Sequence, residues 1–531
     1  MTAGGNPWRR ADWDTPRRDV FGVEHVAALT ATEAASLDRS AREEREIPER
    51  VLMESAGRAA ALILHRAFPR GRVLVLAGSG HNGGDALIVA RTLHSWGRDV
   101  AWIAAGSQPP PAALTHGHAL RQLTVEELAD GRADVDVLVD GLLGTGAAGA
   151  PRGAVLTAIQ AINASRRPVL ALDIPSGIDP TTGEVPGESV RAALTVSFGQ
   201  PKIGTLHEPA RSCCGRLIAV EIGLPPLTQA QPEAVLITPE WVRRRLPVRA
   251  PDAHKNSVGQ VLIVAGREGV AGAAALTGLG ALRAGAGFVR IASPAANRTI
   301  LQAALPEAVF VDRHDETALG EAAAAAAAIV AGPGIGTDAA AGVALRTLDE
   351  AAPDRPLVLD ADALNVIGRD TDHFSRLAAR RAVVLTPHPG EMSRIVGAAA
   401  REIAQRLPRF ARDLAEATGC VVLLKGQPSV VAGREPPVLI NTCGSSDVAS
   451  AGMGDLLSGV IGALLAQRLA APQAAAVGVF LSSRAGDLAR RGPSLTPRDV
   501  ADQLHRAWSD PGRRKPPFDL PFILFDQARR W

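Results

Sequence analysis

Short continuous apolar runs alternate along the chain with longer stretches in which apolar residues return every third or fourth position. The short runs are typical of parallel strands buried on both faces, and the longer stretches are typical of helices. Two helices are predicted before the first strand, one beginning at Thr32 and one at Pro48. The predicted strands of the first half lie at 73–77, 100–105, 135–140, 169–173, 194–198 and 217–222, and those of the second half lie at 260–265, 287–292, 328–332, 356–360, 382–386 and 421–424.

This alternation of strand and helix predicts an α/β fold with a parallel sheet in each half. At 531 residues the chain is too long for one ordinary core, and the segment from Gly223 to about Arg249 is rich in Pro, Gln and Arg, as domain boundaries often are. We therefore predict a tail over 1–26, a first domain over 27–228, a linker over 229–249, a second domain over 250–508 and a C-terminal tail over 509–531.

Composition excludes several classes of function. The formal net charge is only +2, with basic and acidic residues interspersed, so neither nucleic-acid nor anionic-membrane binding is indicated. The N-terminal residues lack the apolar segment of a secretory signal, and the longest apolar runs, at 322–330 and 456–466, are too short to span a membrane. The four cysteines fit neither a disulfide framework nor a paired zinc motif. We expect a cytoplasmic protein with reduced thiols.

One glycine-containing stretch in the second half has the pattern of an anion site. In Ser450–Gly459, two glycines and Asp455 precede an apolar run, which predicts a tight loop opening into a buried helix. Backbone N–H groups and the helix dipole would stabilise phosphate oxygens at such a point. A carboxylate beside phosphate is suited to take a proton from a hydroxyl group during phosphoryl transfer. In the alternative interpretation, Asp455 only caps a core helix.

A second glycine-rich stretch, Gly78–Asp85, follows the first strand of the first half and precedes a helix predicted over 86–93. It matches the pattern GxGxxG, which by itself suggests a dinucleotide fold. The acid that such folds place after the next strand, to bind the ribose, is missing here. The motif alone is therefore weak evidence.

Two further strands of this half end in an acidic residue. Asp140 and Asp173 each close an apolar run, and Ser176 follows Asp173. Because strand ends of a doubly wound sheet line one crevice, these side chains are expected to converge with Asn82 and Asp85. Their oxygen atoms suit a hard cation rather than zinc. The alternatives are that the two acids cap turns and that the asparagine tolerates a left-handed backbone.

Four motifs, in this order on one chain, give the sequence a specific resemblance. They are Gly80–Asp85, Leu172–Gly177, Thr386–Glu391 and Gly452–Asp455. Together they resemble the fused bifunctional NAD(P)H-hydrate repair enzymes over roughly residues 23–508. The resemblance implies an N-terminal NAD(P)H-hydrate epimerase with a Rossmann-like doubly wound sheet. It also implies a C-terminal ADP-dependent (6S)-NAD(P)H-hydrate dehydratase with a ribokinase-like α/β fold.

The resemblance implies site residues as well. The epimerase substrate site would comprise His81, Asn82, Gly83, Gly84, Asp85, Gly144, Thr145, Gly146, Ala147, Ala148, Gly149, Ala150 and Asp173. Its potassium ligands would be Asn82, Asp140 and Ser176. The substrate contacts of the dehydratase would be Ala273, Gly336, His388 and Asp455. Its nucleotide contacts would be Lys425, Gly426, Gln427, Pro428, Ser429 and Gly454.

The chemistry implied for these residues is concrete. Phosphorylation would turn the ring hydroxyl into a leaving group, with Asp455 removing its proton and the adjacent loop holding the transferring phosphoryl oxygens. Asp173 is the candidate acid/base group of the epimerase, with Lys202 second, although Lys202 also fits a solvated surface lysine. His388 either contacts the ring or its phosphates or is a structural loop histidine. Expected cofactors are K⁺ for the epimerase, Mg²⁺ for the dehydratase and ADP as co-substrate.

The expected partners are small molecules, NADHX, NADPHX and ADP, and we also predict a homo-oligomer. One alternative keeps the fold but makes the second half a ribokinase-like kinase for a vitamin or sugar, fused to a dinucleotide-binding domain. Another makes the first half a non-catalytic dinucleotide sensor, although the acid at Asp173 argues against this.

Overall fold

The computed structural model describes residues 24–105, 118–225, 232–255 and 258–512, together with the backbone of 522–525. The chain forms two compact units. Unit 1 comprises Met1–Glu233 with Arg514–Trp531, and unit 2 comprises Ala234–Arg513. None of the helices in these ranges is long and apolar enough to cross a membrane.

The strands described are, in chain order, β1 (Ala27–Ala28), β2 (Val73–Ala77), β3 (Val100–Ala104), β4 (Arg121–Gln122), β5 (Val137–Gly141), β6 (Val169–Leu172), β7 (Leu194–Phe198), β8 (Arg216–Val220), β9 (Ala234–Ile237), β10 (Gln260–Val264), β11 (Phe288–Ser293), β12 (Val309–Asp312), β13 (Ala328–Ala331), β14 (Leu357–Leu359), β15 (Val383–Leu385), β16 (Val421–Leu424), β17 (Val430–Ala432), β18 (Val438–Asn441) and β19 (Phe522–Phe525).

The α-helices described are α1 (Ala31–Glu43), α2 (Glu49–Ala67), α3 (His81–Ser95), α4 (Val125–Ala129), α5 (Gly153–Ser165), α6 (Ala210–Cys213), α7 (Pro239–Arg243), α8 (Ala271–Arg283), α9 (Arg298–Ala304), α10 (Glu316–Ala325), α11 (Ala339–Ala351), α12 (Asp362–Ile367), α13 (Thr371–Ala378), α14 (Pro389–Val396), α15 (Ala400–Gln405), α16 (Leu407–Thr418), α17 (Met453–Ala466), α18 (Ala471–Ala489) and α19 (Pro497–Ser509). Short 3₁₀ helices lie at Ile203–Leu206, Ala295–Asn297, Ser446–Val448 and Gly492–Ser494.

The sheet of unit 1 has the strand order β19-β8-β7-β6-β5-β2-β3-β4. Neighbouring strands are parallel except β19, which runs antiparallel to β8 with Phe522 opposite Val220. Chain order reverses between β2 and β5, and doubly wound sheets bind ligands at the carboxyl ends of strands beside such a reversal. The doubly wound sheet predicted from the sequence is confirmed.

The central strand β2 shows how this sheet is covered on both faces. Its five residues are all buried, and successive side chains point to opposite faces. Val73 and Val75 pack in one apolar cluster with residues of α2 and α3, whereas Leu74 and Leu76 pack in another with residues of α5. A continuous apolar run without alternation is therefore the correct sequence signal for this strand.

Helix α3 begins at His81, rather than near Ala86 as predicted from the sequence. Glycine destabilises helix interiors, so helix propensity alone predicts a loop over residues 81–85. Tertiary packing overrides it, because Gly83 approaches the preceding loop so closely that a Cβ would lie 1.9 Å from the carbonyl oxygen of Gly78. The glycine-rich motif therefore forms the first turn of a helix at the reversal point of the sheet.

Within unit 2, the strand order is β9-β18-β17-β16-β15-β14-β13-β10-β11-β12. Strands β10 to β16 all run parallel to one another, and β17 is antiparallel to both β16 and β18. The reversal of chain order falls between β10 and β13. Strands β14, β15 and β16 lie on one side of this reversal, and the loops at their carboxyl ends carry Asp360, His388 and Lys425. These three side chains are therefore at the same edge of the sheet.

The segment predicted as a linker over 229–249 is different in the structure. Strand β9 and helix α7 lie within it, and β9 pairs with β18, so unit 2 begins at Ala234 rather than at residue 250. The short apolar run of β9 is surrounded by Pro, Gln and Arg, and this composition hid the strand. Most of the predicted N-terminal tail, residues 1–23, lies outside the described residues, as do 513–521 and 526–531 of the C-terminal tail.

Candidate active sites

Unit 1 contains a cavity of about 690 Å³ at the reversal point of its sheet. The first turn of α3 and the loop after β5 line it, and α1 and α2 contribute further side chains. Its titratable lining residues are Asp38, Arg42, Glu49, His81, Asp85, Asp173 and Lys202. A cavity of this size with convergent charged groups is the usual form of a small-molecule site.

Beneath the cavity lies a buried set of oxygen atoms at the three predicted potassium ligands. The Ser176 hydroxyl donates to Asp140 Oδ1 at 2.6 Å, and the Ser176 N–H donates to Asp140 Oδ2 at 2.8 Å. Asn82 Nδ2 donates to the carbonyl oxygens of Leu143 at 2.8 Å and Leu172 at 3.1 Å. These two hydrogen bonds fix the orientation of the Asn82 amide and leave its Oδ1 atom available to a ligand.

Asn82 Oδ1 is buried and accepts no hydrogen bond from any residue that the structure describes. Buried polar atoms without a partner are rare because each costs about 1–3 kcal/mol. Burial raises the pKa of the Asp140 carboxyl to about 6, although hydrogen bonds from Ser176 and Leu142 oppose the shift. The unpaired amide oxygen and the buried carboxylate belong to side chains that both bond the loop after β5, and oxygen atoms of these types fit a bound cation.

Asp173 and Lys202 form a buried ion pair at the wall of the cavity, with 12% and 4% of their side chains exposed. Lys202 Nζ donates to Asp173 Oδ1 and also to the Phe198 carbonyl oxygen at 3.1 Å. The Phe198 N–H donates to the same carboxylate oxygen at 3.1 Å. The sequence left open whether Lys202 faces solvent, and the structure places it in the cavity wall.

Asp173 occupies a left-handed backbone conformation, with φ of +62°. Among residues other than glycine, Asp and Asn adopt this conformation most readily. The turn therefore aims the carboxylate from the end of β6 into the cavity. Any replacement has to tolerate this backbone as well as the buried lysine.

Three more carboxylates, those of Asp38, Glu49 and Asp85, line the cavity with this pair. Burial raises the pKa of Asp85 well above its ordinary value, and the negative charges of Asp173 and Asp38 raise it further. Burial also raises the pKa of Asp38, against the opposing effect of Lys202. A carboxylic acid that keeps its proton can donate it to a substrate.

Most residues predicted for this substrate site line the cavity, but some do not. Those that do are His81, Asn82, Gly84, Asp85, Gly144, Thr145, Gly146, Ala147 and Asp173, and the second acid/base candidate, Lys202, lines it too. Gly83 instead packs against Gly78, and the Ala150 side chain lies against Gly187. Ala148 and Gly149 are also absent from the lining. The sequence missed Asp38 and Arg42, because both lie on the polar side of an amphipathic helix, where charges normally meet solvent.

In unit 2, the predicted anion loop leads into helix α17 as expected. Gly452 is the residue before the helix and has a φ of +85°, and a Cβ there would lie 2.5 Å from the Leu276 side chain. The helix is buried continuously from Leu456 to Ala466. The free N–H groups of its first turn form the kind of terminus that binds phosphate. Asp455 stands in that turn.

Asp455 lies in a carboxylate-rich environment. Burial raises the pKa of its carboxyl group to about 6, with a further contribution from the negative charge of Asp360 and an opposing effect of Lys425. An aspartate that titrates near neutral pH is matched to general-base chemistry. The position before the helix, where a capping side chain would stand, is occupied by Gly452, and Asp455 lies inside the first turn, which favours the catalytic interpretation over the helix cap.

The Lys425 side chain lies close to the first turn of α17, next to Gly454. Its ammonium donates to Asp360 Oδ1 at 2.8 Å and lies 3.8 Å from Glu391 Oε2. A Cβ added at Gly454 would lie 3.2 Å from the ammonium nitrogen, so the charge is directly beneath the first turn of α17. The predicted nucleotide contacts 426–429 directly follow Lys425 in the loop between β16 and β17. In it, the Ser429 hydroxyl donates to the Gly426 carbonyl oxygen at 3.1 Å.

His388 caps helix α14. Its Nδ1 accepts from the N–H groups of Gly390 at 3.0 Å and Glu391 at 3.2 Å, while the Glu391 side chain accepts from the His388 N–H at 2.9 Å. The structural alternative for this histidine is thus realised. Half of the side chain remains exposed, and its other ring nitrogen, Nε2, lies 3.4 Å from Glu391 Oε1.

The remaining predicted substrate contacts follow β13 and β10, the two strands at the reversal of the sheet, Gly336 on a loop and Ala273 in a helix. Gly336 has a φ of +83°, and its N–H donates to Asp362 Oδ2 at 2.9 Å. Ala273 is in the first turn of α8, where a Cβ on Gly334 would lie 3.0 Å from its methyl group. Two acids that the sequence did not assign to the site, Asp360 and Glu391, are buried next to Lys425.

The family model described as NAD(P)H-hydrate dehydratase matches residues 261–506, and the model described as YjeF-related protein N-terminus matches residues 49–204. The bifunctional NAD(P)H-hydrate repair enzyme of Moorella thermoacetica is 36% identical over 87% of this chain and 92% of its own length. That of Escherichia coli is 36% identical over 82% and 84%.

Among solved structures, the ADP/ATP-dependent NAD(P)H-hydrate dehydratase of Bacillus subtilis, crystallised with ATP and Mg²⁺, is 29% identical with a TM-score of 0.46, covering 53% of this chain and 99% of that chain. The sequence relatives extend over both units, and the two family models match in the order expected from the motifs. The chain therefore belongs to the family of bifunctional NAD(P)H-hydrate repair enzymes.

Proposed function

We propose that unit 1 interconverts the R and S epimers of hydrated NADH and NADPH, and that unit 2 dehydrates the S epimer at the expense of ADP. The observation that carries the proposal is Asp455 in the first turn of α17, with Lys425 beneath it. In a chain of this family, a base beside an anion site acts on the ring hydroxyl and a phosphoryl group together.

Dehydration proceeds by making the hydroxyl group a better leaving group. Asp455 takes its proton as the oxygen attacks the terminal phosphorus of ADP, and AMP leaves. The new C–O–P linkage then loses phosphate together with a ring proton, which restores the double bond of the reduced nicotinamide. Lys425 and the N–H groups of the first turn of α17 stabilise the charge on the transferring group.

Epimerisation inverts the carbon that bears the hydroxyl group. The C–O bond breaks as the ring nitrogen forms a C=N bond, and water then adds to the opposite face. Departure requires a proton donor and addition requires a proton acceptor. Asp173, held by Lys202, is the acceptor that we propose for the added water.

K⁺ is the cation proposed at Asn82, Asp140 and Ser176, because the unpaired amide oxygen and the buried carboxylate fit a hard cation. When bound, it would offset phosphate charge and hold together the loops after β5 and β6. Mg²⁺ is proposed to arrive with the phosphates of the nucleotide. No group of three or more His, Cys, Asp or Glu side chains within the described ranges could hold a metal ion on its own.

The test of the proposed function uses the full chain with a mixture of R and S hydrates, supplied with ADP or with ATP. Complete recovery of reduced nicotinamide, followed by its absorbance, is expected with ADP, together with AMP and phosphate. Recovery of only one epimer would contradict the epimerase assignment. Accumulation of a stable phosphorylated alcohol would favour the kinase alternative instead.

The rate of dehydration should depend on pH through Asp455. Because its pKa is about 6 and the ionised form is the base, kcat/KM for the S hydrate is expected to fall about tenfold per pH unit below pH 6. The measurement is a pH profile with purified S epimer and saturating ADP. An acid limb near pH 4, the range of an ordinary aspartate, would contradict the assignment.

Potassium should stabilise unit 1 through Asn82. The melting temperature is expected to rise with K⁺ but not with a bulky organic cation, and Asn82→Ala should lose this response. The matched control is Asn163→Ala, since Asn163 also bonds the backbone, donating to Ser189 O at 2.9 Å and accepting from the Arg191 N–H at 3.1 Å. This variant should melt lower yet still respond to K⁺. Equal responses in both variants would disprove the site.

A further inference from the structure

Asp360 is the most buried acid near the proposed dehydratase site, with 1% of its surface exposed. It follows β14 directly, and its N–H donates to the Ala331 carbonyl oxygen at 3.1 Å. The next residue, Ala361, has a φ of +49° and a ψ of −116°, a conformation that is unfavourable for an alanine. The chain is thus bent sharply just after the carboxylate.

The two oxygen atoms of this carboxylate serve different elements. Oδ1 accepts from Lys425, which follows β16, at 2.8 Å. Oδ2 accepts from the Ser458 hydroxyl on α17 at 2.5 Å, and the same hydroxyl oxygen lies 2.9 Å from the Gly454 carbonyl oxygen. One buried acid therefore joins the lysine beneath the anion loop to Ser458, which lies one turn after Gly454 on the helix that carries Asp455.

The charges around Asp455 come from four elements. Asp360 at the end of β14, Asp362 on α12 and Glu391 on α14 are acidic, and Lys425 at the end of β16 opposes them. Burial and the carboxylates act on the lysine in opposite directions, and the carboxylates prevail, so its pKa is raised and it stays an ammonium ion.

We propose that Asp360 is a positioning residue of the dehydratase site, which holds the Lys425 ammonium and the first turn of α17 in one arrangement so that both act on the same phosphoryl group. The inference rests on the proposed dehydratase function. Asp360 does not reach the substrate in this role and acts through Lys425 and Ser458. Its negative charge also keeps the proton affinity of Asp455 high.

The experiment compares Asp360→Asn and Asp360→Glu in the full chain. The asparagine keeps the size but loses the charge and one acceptor, so the KM for ADP is expected to rise roughly tenfold. The pH below which kcat/KM for the S hydrate falls, the acid limb of the profile, should decrease by roughly one unit, because Asp455 has lost a negatively charged neighbour. Asp360→Glu should keep the wild-type acid limb, whereas Ser458→Ala, which removes the link to α17 but no charge, should keep the limb and raise the KM for ADP.

A double-mutant cycle with Lys425→Met tests whether Asp360 acts through the lysine. The double variant is expected to have the same KM for ADP as Lys425→Met alone. A wild-type acid limb in Asp360→Asn, or independent multiplication of the two KM effects, would overturn the proposal. If Asp360→Asn does not fold, a shifted limb in Asp360→Glu would overturn it equally. A wild-type chain that fails to dehydrate the S hydrate would refute the proposed function instead.

Discussion

Replacing Asp455 by asparagine is expected to abolish ADP-dependent dehydration while ADP still binds and epimerisation continues. Asparagine has nearly the same shape, so the first turn of α17 and the ion pair beneath it should persist. It cannot accept the proton of the ring hydroxyl, and loss of a general base lowers kcat by roughly 100–10,000-fold. Recovery of reduced nicotinamide from purified S hydrate measures the loss, and titration with ADP measures the binding.

Asp502→Asn is the matched control for this variant. Asp502 lies on α19 of the same unit, and its side chain is 64% exposed and 3.4 Å from Arg283. Exposed pairs of this kind contribute about 0–1 kcal/mol, so wild-type turnover is expected. Undiminished dehydration by Asp455→Asn would remove the base assignment and return the aspartate to the role of a structural residue.

When Asp173 is replaced by asparagine, the S hydrate should still be dehydrated, whereas the R hydrate should remain unconverted. Asparagine tolerates the left-handed backbone and can still accept from the Phe198 N–H, but it loses the charge that faces Lys202. Asp173→Ala is a poorer test, because it leaves a buried ammonium unpaired, which costs roughly 3–5 kcal/mol of stability. Chromatographic separation of the two epimers during incubation with ADP gives the result directly.

Asp130→Asn provides the control in unit 1, since Asp130 is 60% exposed and pairs only at the surface with Arg132. Here both hydrates should disappear at the wild-type rates. If they also do so in Asp173→Asn, the epimerase site has been assigned to the wrong carboxylate. Asp85 then becomes the next residue to replace, because it is the other buried acid that lines the cavity.

The sequence predicted the strands best where burial is most complete. Strand β2 was placed at Val73–Ala77 because an unbroken apolar run needs only the parallel sheet around it. The start of α3 at His81 could not be predicted, since it depends on how closely Gly83 approaches the backbone of Gly78. Local propensity carries no information on such distant contacts.

The proposed sites show the same division. Asp140, Asp173 and Ser176 were found because acids at the carboxyl ends of buried strands are a local signal. Asp360 carries the same signal at the end of β14, yet its pairing with Lys425 and Ser458 joins residues far apart in the chain. Asp38 had no signal at all, because only the fold shows that the polar side of α1 faces a cavity.

The strand β19 has a practical consequence for separating the two activities. Unit 1 is discontinuous in sequence, since its sheet recruits a segment encoded after all of unit 2. A fragment that stops at Glu233 would leave the hydrogen-bonding edge of β8 open, and open edges invite pairing with other chains. The epimerase half is therefore best produced as a circular permutant, or reconstituted by split-protein complementation with a peptide that contains Phe522–Phe525.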